Sequence, residues 1–155
     1  MRLVELCRMK WCVFVVALAT GSLYAEDIYL SCQVTQIAAK EGEGKADNKL
    51  KKIMKSLSAS DETKKYQGFK FLSKKSLNAT KVKSGSIKLK NGKKFSLKVV
   101  KVHRAQRQNT ITVDVSLGSD EQQKSFIDQK YLILNAGELD KKSDLVIAVH
   151  CPVFP

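Results

Sequence analysis

The chain is poor in the residues that mark specialised architectures, with 2 Pro, 8 Gly, 1 Trp and 2 His in 155 residues. So little Pro and Gly excludes a collagen-like or Pro-rich disordered chain, and the lack of any fixed-period repeat excludes solenoids and propellers. The 4 Cys are too few for a disulfide miniprotein. Motif chemistry is equally sparse. His103 and His150 lie 47 residues apart with no CxxC, HExxH or clustered carboxylates beside them, so no metal-ligand set is visible. His150 precedes Cys151, but neighbouring strand residues point to opposite faces, which argues against a Cys and His dyad. Ser116, Ser119 and Ser125 lie near Asp114 and Asp120 without a nucleophile elbow. The acidic stretch at residues 41–44 lacks the ligand positions of an EF-hand. These absences point away from an enzyme and imply neither a metal nor a cofactor.

What is present begins with an address. Arg2, Arg8 and Lys10 precede an uninterrupted apolar run at residues 11–19, and small and polar residues follow to Ala25. Basic, then apolar, then small is the order of a secretory signal peptide, with cleavage expected between Ala25 and Glu26. The uncharged stretch of 15 residues from 11 to 25 falls short of the roughly 20 that span a bilayer, so no transmembrane span is expected in the mature chain. The domain assignment is therefore a signal peptide at 1–25 and one β-rich domain at 26–155, working in the periplasm or outside the cell. Cleavage removes Cys7 and Cys12 and leaves Cys32 and Cys151. Two cysteines in an exported chain predict one disulfide.

Charge is unevenly spread. Residues 26–155 hold 25 Lys or Arg against 14 Asp or Glu, a net +11, and residues 40–104 alone carry 20 against 5. Such a field attracts anionic partners such as envelope polymers, lipid headgroups or acidic glycans. Of those 20 basic residues only Arg104 is not Lys, whereas base and phosphate recognition in nucleic-acid readers recruits the bidentate Arg fork. Phe69, Phe71 and Phe95 fall on apolar strand faces rather than on a stacking platform. Sequence-specific nucleic-acid binding is not expected, and peripheral membrane contact stays open.

The patterning is mostly that of strands. Ile28, Leu30, Cys32 and Val34 alternate with polar residues, as do Ile111, Val113, Val115 and Leu117, and finally Leu145, Ile147, Val149 and Cys151. Between the first strand and Tyr66, Leu50, Ile53, Met54 and Leu57 recur at helical spacing among lysines, predicting one short amphipathic helix near residues 47–58 with Asp47 or Asn48 as its N-cap. Asn91-Gly92 predicts a hairpin with a type I′ turn. Its flanks bury Ile87, Leu89, Phe95 and Leu97 and project Lys88, Lys90, Lys94 and Lys98 outward as a candidate anion-binding face. The apolar parity then switches from Phe95, Leu97 and Val99 to Val100 and Val102, which requires a bulge near Val99 and Val100. Residues 118–124 and 135–143 read as polar or turn regions. The fold expected is mainly β, an antiparallel sandwich or barrel of about seven strands plus one helix, with the first and last strands close enough to be stapled by Cys32 and Cys151.

The stretch Lys65-Tyr66-Gln67-Gly68-Phe69-Lys70-Phe71-Leu72, with Ser76-Leu77 and Ile87-Lys88-Leu89-Lys90-Asn91-Gly92-Lys93, resembles small exported proteins of bacteria such as myxobacteria and their relatives, over about half of the mature chain. The resemblance implies a bacterial envelope setting and no particular activity or site. The function these readings support is an exported, non-enzymatic binding or envelope-assembly module with a basic face, its partner a protein or an anionic envelope polymer. The alternative is a secreted enzyme inhibitor that presents a loop, either residues 40–48 or 135–143.

Overall fold

The computed structural model describes residues 28–42 and 44–153, so the signal-peptide assignment lies outside the described residues. The chain forms β1 (Tyr29–Lys40), a 3₁₀ turn (Asn48–Leu50), α1 (Met54–Ala59), β2 (Gly68–Thr80), β3 (Gly85–Lys88), β4 (Lys94–Arg104), β5 (Asn109–Leu117), β6 (Asp120–Ile127), β7 (Leu132–Asp140) and β8 (Ser143–His150). The strands make two antiparallel four-stranded sheets, in the orders β2-β1-β8-β7 and β3-β4-β5-β6. The architecture is a sandwich of eight strands.

Period-two alternation places the core between the sheets. Leu30, Cys32 and Val34 of β1 and Leu145, Ile147 and Val149 of β8 meet Phe95, Leu97 and Val99 of β4 and Ile111, Val113 and Val115 of β5. Full burial of such side chains contributes about 1.5–3 kcal/mol each. The first sheet also buries its other face. Ile37 and Ala39 of β1, Phe69 of β2, Ile133 of β7, and Val146 and Ala148 of β8 pack under Leu50, Ile53, Leu57 and Tyr66. The predicted helical segment is thus in place with its apolar positions inward, but it is not continuous: a 3₁₀ turn precedes a single short α-helix. Asp47 caps the 3₁₀ turn by accepting from the Lys49 backbone N–H at 3.0 Å.

Cys32 and Cys151 form a disulfide. Gln33 pairs with His150 in the β1 and β8 register, so the next residues outward, Cys32 and Cys151, face each other on adjacent strands with Cα atoms 4.2 Å apart. The staple joins neighbours within one sheet rather than crossing the core.

The expected bulge is present, with Val100 as the extra residue between Val99 and Lys101 in the β4 and β5 register. The hairpin is also present, but its turn differs from the expected type I′. That turn needs positive φ at both Asn91 and Gly92, and only Gly92 has it, at 86°. Gly92 N–H donates to Leu89 C=O at 3.1 Å and Leu89 N–H to Lys93 C=O at 2.8 Å, the pattern of a type I turn closed by a left-handed glycine. Keeping Asn91 in ordinary backbone geometry frees its side chain to donate to Ala136 C=O at 3.0 Å. The hairpin tip is thereby tied to the opposite sheet, and Lys90 N–H, bonded to the buried Gln36 side chain at 2.8 Å, ties it a second time.

Two further expectations are corrected. Residues 118–124 are not a terminating loop, since β6 runs from Asp120 to Ile127 along the sheet edge. Residues 135–143 are not an exposed turn region either. Strand β7 continues to Asp140 through two irregularities in its register, and only residues 141 and 142 separate it from β8.

Candidate anion-binding surface

Lys88, Lys94 and Lys98 lie on strand positions of the hairpin, and Lys90 lies in its turn, beyond the end of β3. Lys88, Lys90, Lys94 and Lys98 are all exposed, while Leu89, Phe95 and Leu97 are buried and Ile87 is half-buried. Lys88 and Lys94 are direct cross-strand partners, two like charges side by side on the uncovered outer face of the second sheet. Lys98 has a different neighbour. It sits opposite Asp114, whose carboxylate also accepts from the Gln123 amide at 2.9 Å. The face is therefore basic at its hairpin end and mixed towards β5 and β6, where Ser84, Ser96, Lys98, Asp114, Ser116, Glu121 and Gln123 line a broad polar hollow.

Ion pairing leaves this surface uncompensated. Among the described residues the lysines within 4.0 Å of a carboxylate are Lys64, Lys65 and Lys124. Lys75 and Lys124 close the open sides of the sandwich, an arrangement that blunts exposed edges with inward-pointing charge. Lys75 on β2 donates to Lys88 C=O at 2.9 Å, bridging β2 to β3. On the opposite side, Lys124 on β6 reaches the Glu62 carboxylate at 4.0 Å.

The second polar concentration is a network that the sequence gives no local signal for. The Tyr66 hydroxyl donates to the Asp144 carboxylate, the Asn135 amide donates to the Tyr66 oxygen at 3.0 Å, and the Asn135 N–H donates to the Glu62 carboxylate at 2.7 Å. Burial, reinforced by Asp144, raises the Tyr66 phenol above its usual value, so at neutral pH it is a proton-bearing donor. Lys65 lies 2.9 Å from Glu41 and 3.6 Å from Asp144, and the bond to Glu41 holds its ammonium above the usual lysine value. Each polar group has a partner within the network. Its role is to fasten the segment after α1 onto β7 and β8.

His150 and Cys151 resolve as the strand pattern implies. Cys151 is bonded to Cys32 and carries no thiolate. The His150 ring stacks on Tyr131 with centroids 5.1 Å apart. Among the described residues no group of three or more His, Cys, Asp or Glu gathers to hold a metal ion, and no helix is long and apolar enough to cross a membrane.

Comparison with known proteins returns no relative. No family model, no curated protein and no solved structure matches the chain.

Proposed function

We propose that the protein is an exported, non-enzymatic binding module of the bacterial envelope that holds an anionic polymer on its basic hairpin face. The observation that carries this reading is the adjacency of Lys88 and Lys94 with neither in an ion pair among the described residues. A bare like-charge pair on a rigid strand pair costs stability unless an anion relieves it, and Lys90 at the turn adds to the same field. Export is supported by the basic, apolar and small segment at 1–25 and by the Cys32–Cys151 disulfide, a bond that persists in oxidising compartments. The inhibitor reading loses one of its two loops, because residues 135–140 are strand rather than loop.

The test is retention on heparin and on anionic vesicles at low and moderate salt, comparing wild type with K88E/K90E/K94E/K98E. The variant should elute earlier from heparin at low salt, and the difference should shrink at moderate salt as charges more than about 10 Å apart are screened. Equal elution of the two folded proteins would overturn the reading.

A further inference from the structure

The face opposite the hairpin holds a smaller and more closely built basic site. The helical segment covers the outer face of the first sheet incompletely, and beside it a cleft of about 100 Å³ opens between Lys49, Lys52 and Ile53, the β2 residues Phe71 and Lys74, and Tyr131, with Gln33 and Thr35 of β1 as its floor. The register explains the convergence: Thr35 is the cross-strand partner of Lys74, and Gln33 that of His150. The Lys49 ammonium stands over the Phe71 ring at 5.3 Å, and Tyr131 is backed by His150. Among the described residues no carboxylate lines this cleft, and none of its three lysines is in an ion pair. The nearby Asp128 is already engaged, accepting from the Asn109 amide at 2.9 Å and from its backbone N–H at 3.4 Å.

We infer that this cleft binds a phosphate ester carried on a sugar, with Lys49, Lys52 and Lys74 holding the phosphoryl oxygens and the face of the Tyr131 ring turned away from His150 receiving the C–H face of the sugar. Size sets the first limit. At about 100 Å³ the cleft is small beside the roughly 300–1,000 Å³ of pockets that enclose a whole small molecule, so it seats a compact group such as a phosphoryl and leaves the organic part on its rim. Donor type sets the second. Three ammonium groups, two from the helical segment and one from β2, suit a tetrahedral anion as point charges, whereas a planar carboxylate is matched by the Arg fork, and among the described residues no Arg lines the cleft. Apolar surface sets the third. The large hydrophobic side chains exposed among the described residues are Tyr29 and Val82. Tyr29 lies six residues along β1 from Thr35, and Val82 lies past the end of β2, whose Thr80 is six residues from Lys74; six residues are about 20 Å at strand rise, so neither exposed side chain lies beside the cleft to enter an acyl layer. The ester is that of a soluble or polymeric sugar rather than of a lipid surface.

This goes beyond the proposed hairpin face, and the two fail independently because they lie on opposite faces of the sandwich. The experiment is NMR titration of the disulfide-bonded protein with glucose 6-phosphate, following the His150 imidazole and the Tyr131 ring, with glucose, inorganic phosphate and glucuronate as comparison probes. Glucose 6-phosphate should shift both rings saturably, bind at least tenfold more tightly than phosphate or glucuronate, and raise the apparent pKa of His150 by neutralising Lys74 beside it. K49Q/K52Q/K74Q should weaken binding at least tenfold, while the hairpin variant K88E/K90E/K94E/K98E binds as wild type. Absence of saturable shifts in the wild type, or unchanged binding by the triple variant, overturns the site. Equal binding of inorganic phosphate overturns the role of the Tyr131 ring. Capture on phosphatidic acid vesicles that depends on the same three lysines overturns the choice of a sugar ester over a lipid headgroup.

Discussion

The two sheets solve different problems with the same strand chemistry. The first has two faces to bury, and its central strand β8 shows it: Leu145, Ile147 and Val149 point to the facing sheet while Val146 and Ala148 point to the helical layer, all fully buried. The second has one face to bury. In β4, Phe95, Leu97 and Val99 are buried, with Lys94 and Lys98 exposed and Ser96 half-exposed between them. A strand covered on both sides becomes a continuous apolar run, and a strand covered on one side keeps its alternation. The difference also sorts the two candidate binding surfaces. The bare sheet offers an open face, lysine-rich at its hairpin end and mixed in charge towards β5 and β6, whereas the covered sheet offers a confined cleft at the margin of its cover.

The largest effect belongs to the staple in the doubly covered sheet. The disulfide joins residues 119 apart in sequence, and in the chain-entropy model a loop of that length contributes about 5 kcal/mol. C32S/C151S should therefore move the urea midpoint well below that of the oxidised wild type, to the position of the reduced wild type. Intact oxidised protein should weigh about 2 Da less than reduced protein, since each thiol loses one hydrogen on forming the bond. A double-serine variant as stable as the oxidised protein would mean that the hydrogen-bonded register of β1 and β8 alone holds the sheet together.

Next is the layer that distinguishes the sheets. Leu57 is fully buried between α1 and the first sheet, and Leu57→Ala should cost about 2–5 kcal/mol as a core truncation. On the bare face of the other sheet, Ser125→Ala removes only the hydroxyl contact with Thr112 at 2.9 Å, worth about 1 kcal/mol. Equal costs for the two in denaturant titrations would remove the distinction between a covered and an uncovered sheet.

Much of this contrast is legible in the residues, and the exceptions have physical causes. The alternation in β1, β4, β5 and β8 is plain, and the parity switch at Val99 and Val100 betrays the bulge because a strand cannot bury both sets on one face. Strand β6 gives no such signal. At its inward positions Gln122 and Lys124 stand opposite Val115 and Val113, and inward polar residues protect an edge at the expense of alternation. The second half of β7 reads as a turn because its irregularities require turn residues, among them Gly137 at φ 90°. The hairpin lysines are visible as a set because they are close in sequence. Lys49, Lys74 and Tyr131 are not, and only the folding of β1, β2 and the helical segment against one another brings them to one cleft.

Within the bare sheet, single charge reversals sharpen the account further. Lys94→Glu places a carboxylate opposite Lys88 and relieves a like-charge pair, whereas Lys98→Glu creates one with Asp114. Cross-strand pairs of this kind contribute about 0.2–1 kcal/mol, so K94E should raise and K98E lower the thermal midpoint at low salt. The difference between them should narrow in high salt. Shifts of the same sign in both variants would show that the lysines do not sit in the register that makes them a face.

The smallest effect tests the margin of the covered sheet. Burial, with Lys74 adding to it and Asp128 opposing, lowers the His150 imidazole from its usual 6.5. The folded state therefore resists protonation that the unfolded chain accepts, and between the two pKa values the unfolded state binds more protons. Stability is full above about pH 6.5 and falls as the pH drops from there towards the lowered folded value, below which the loss stays constant. His150→Gln removes this contribution, so the wild-type minus variant difference in unfolding free energy should be flat above neutrality and turn against the wild type on acidification through that window. In K74Q the same decline should be smaller, because one of the two causes of the depression is gone. A wild-type minus H150Q difference independent of pH from 8 to 5 would place His150 in water, away from the burial and the lysine that its strand register assigns to it.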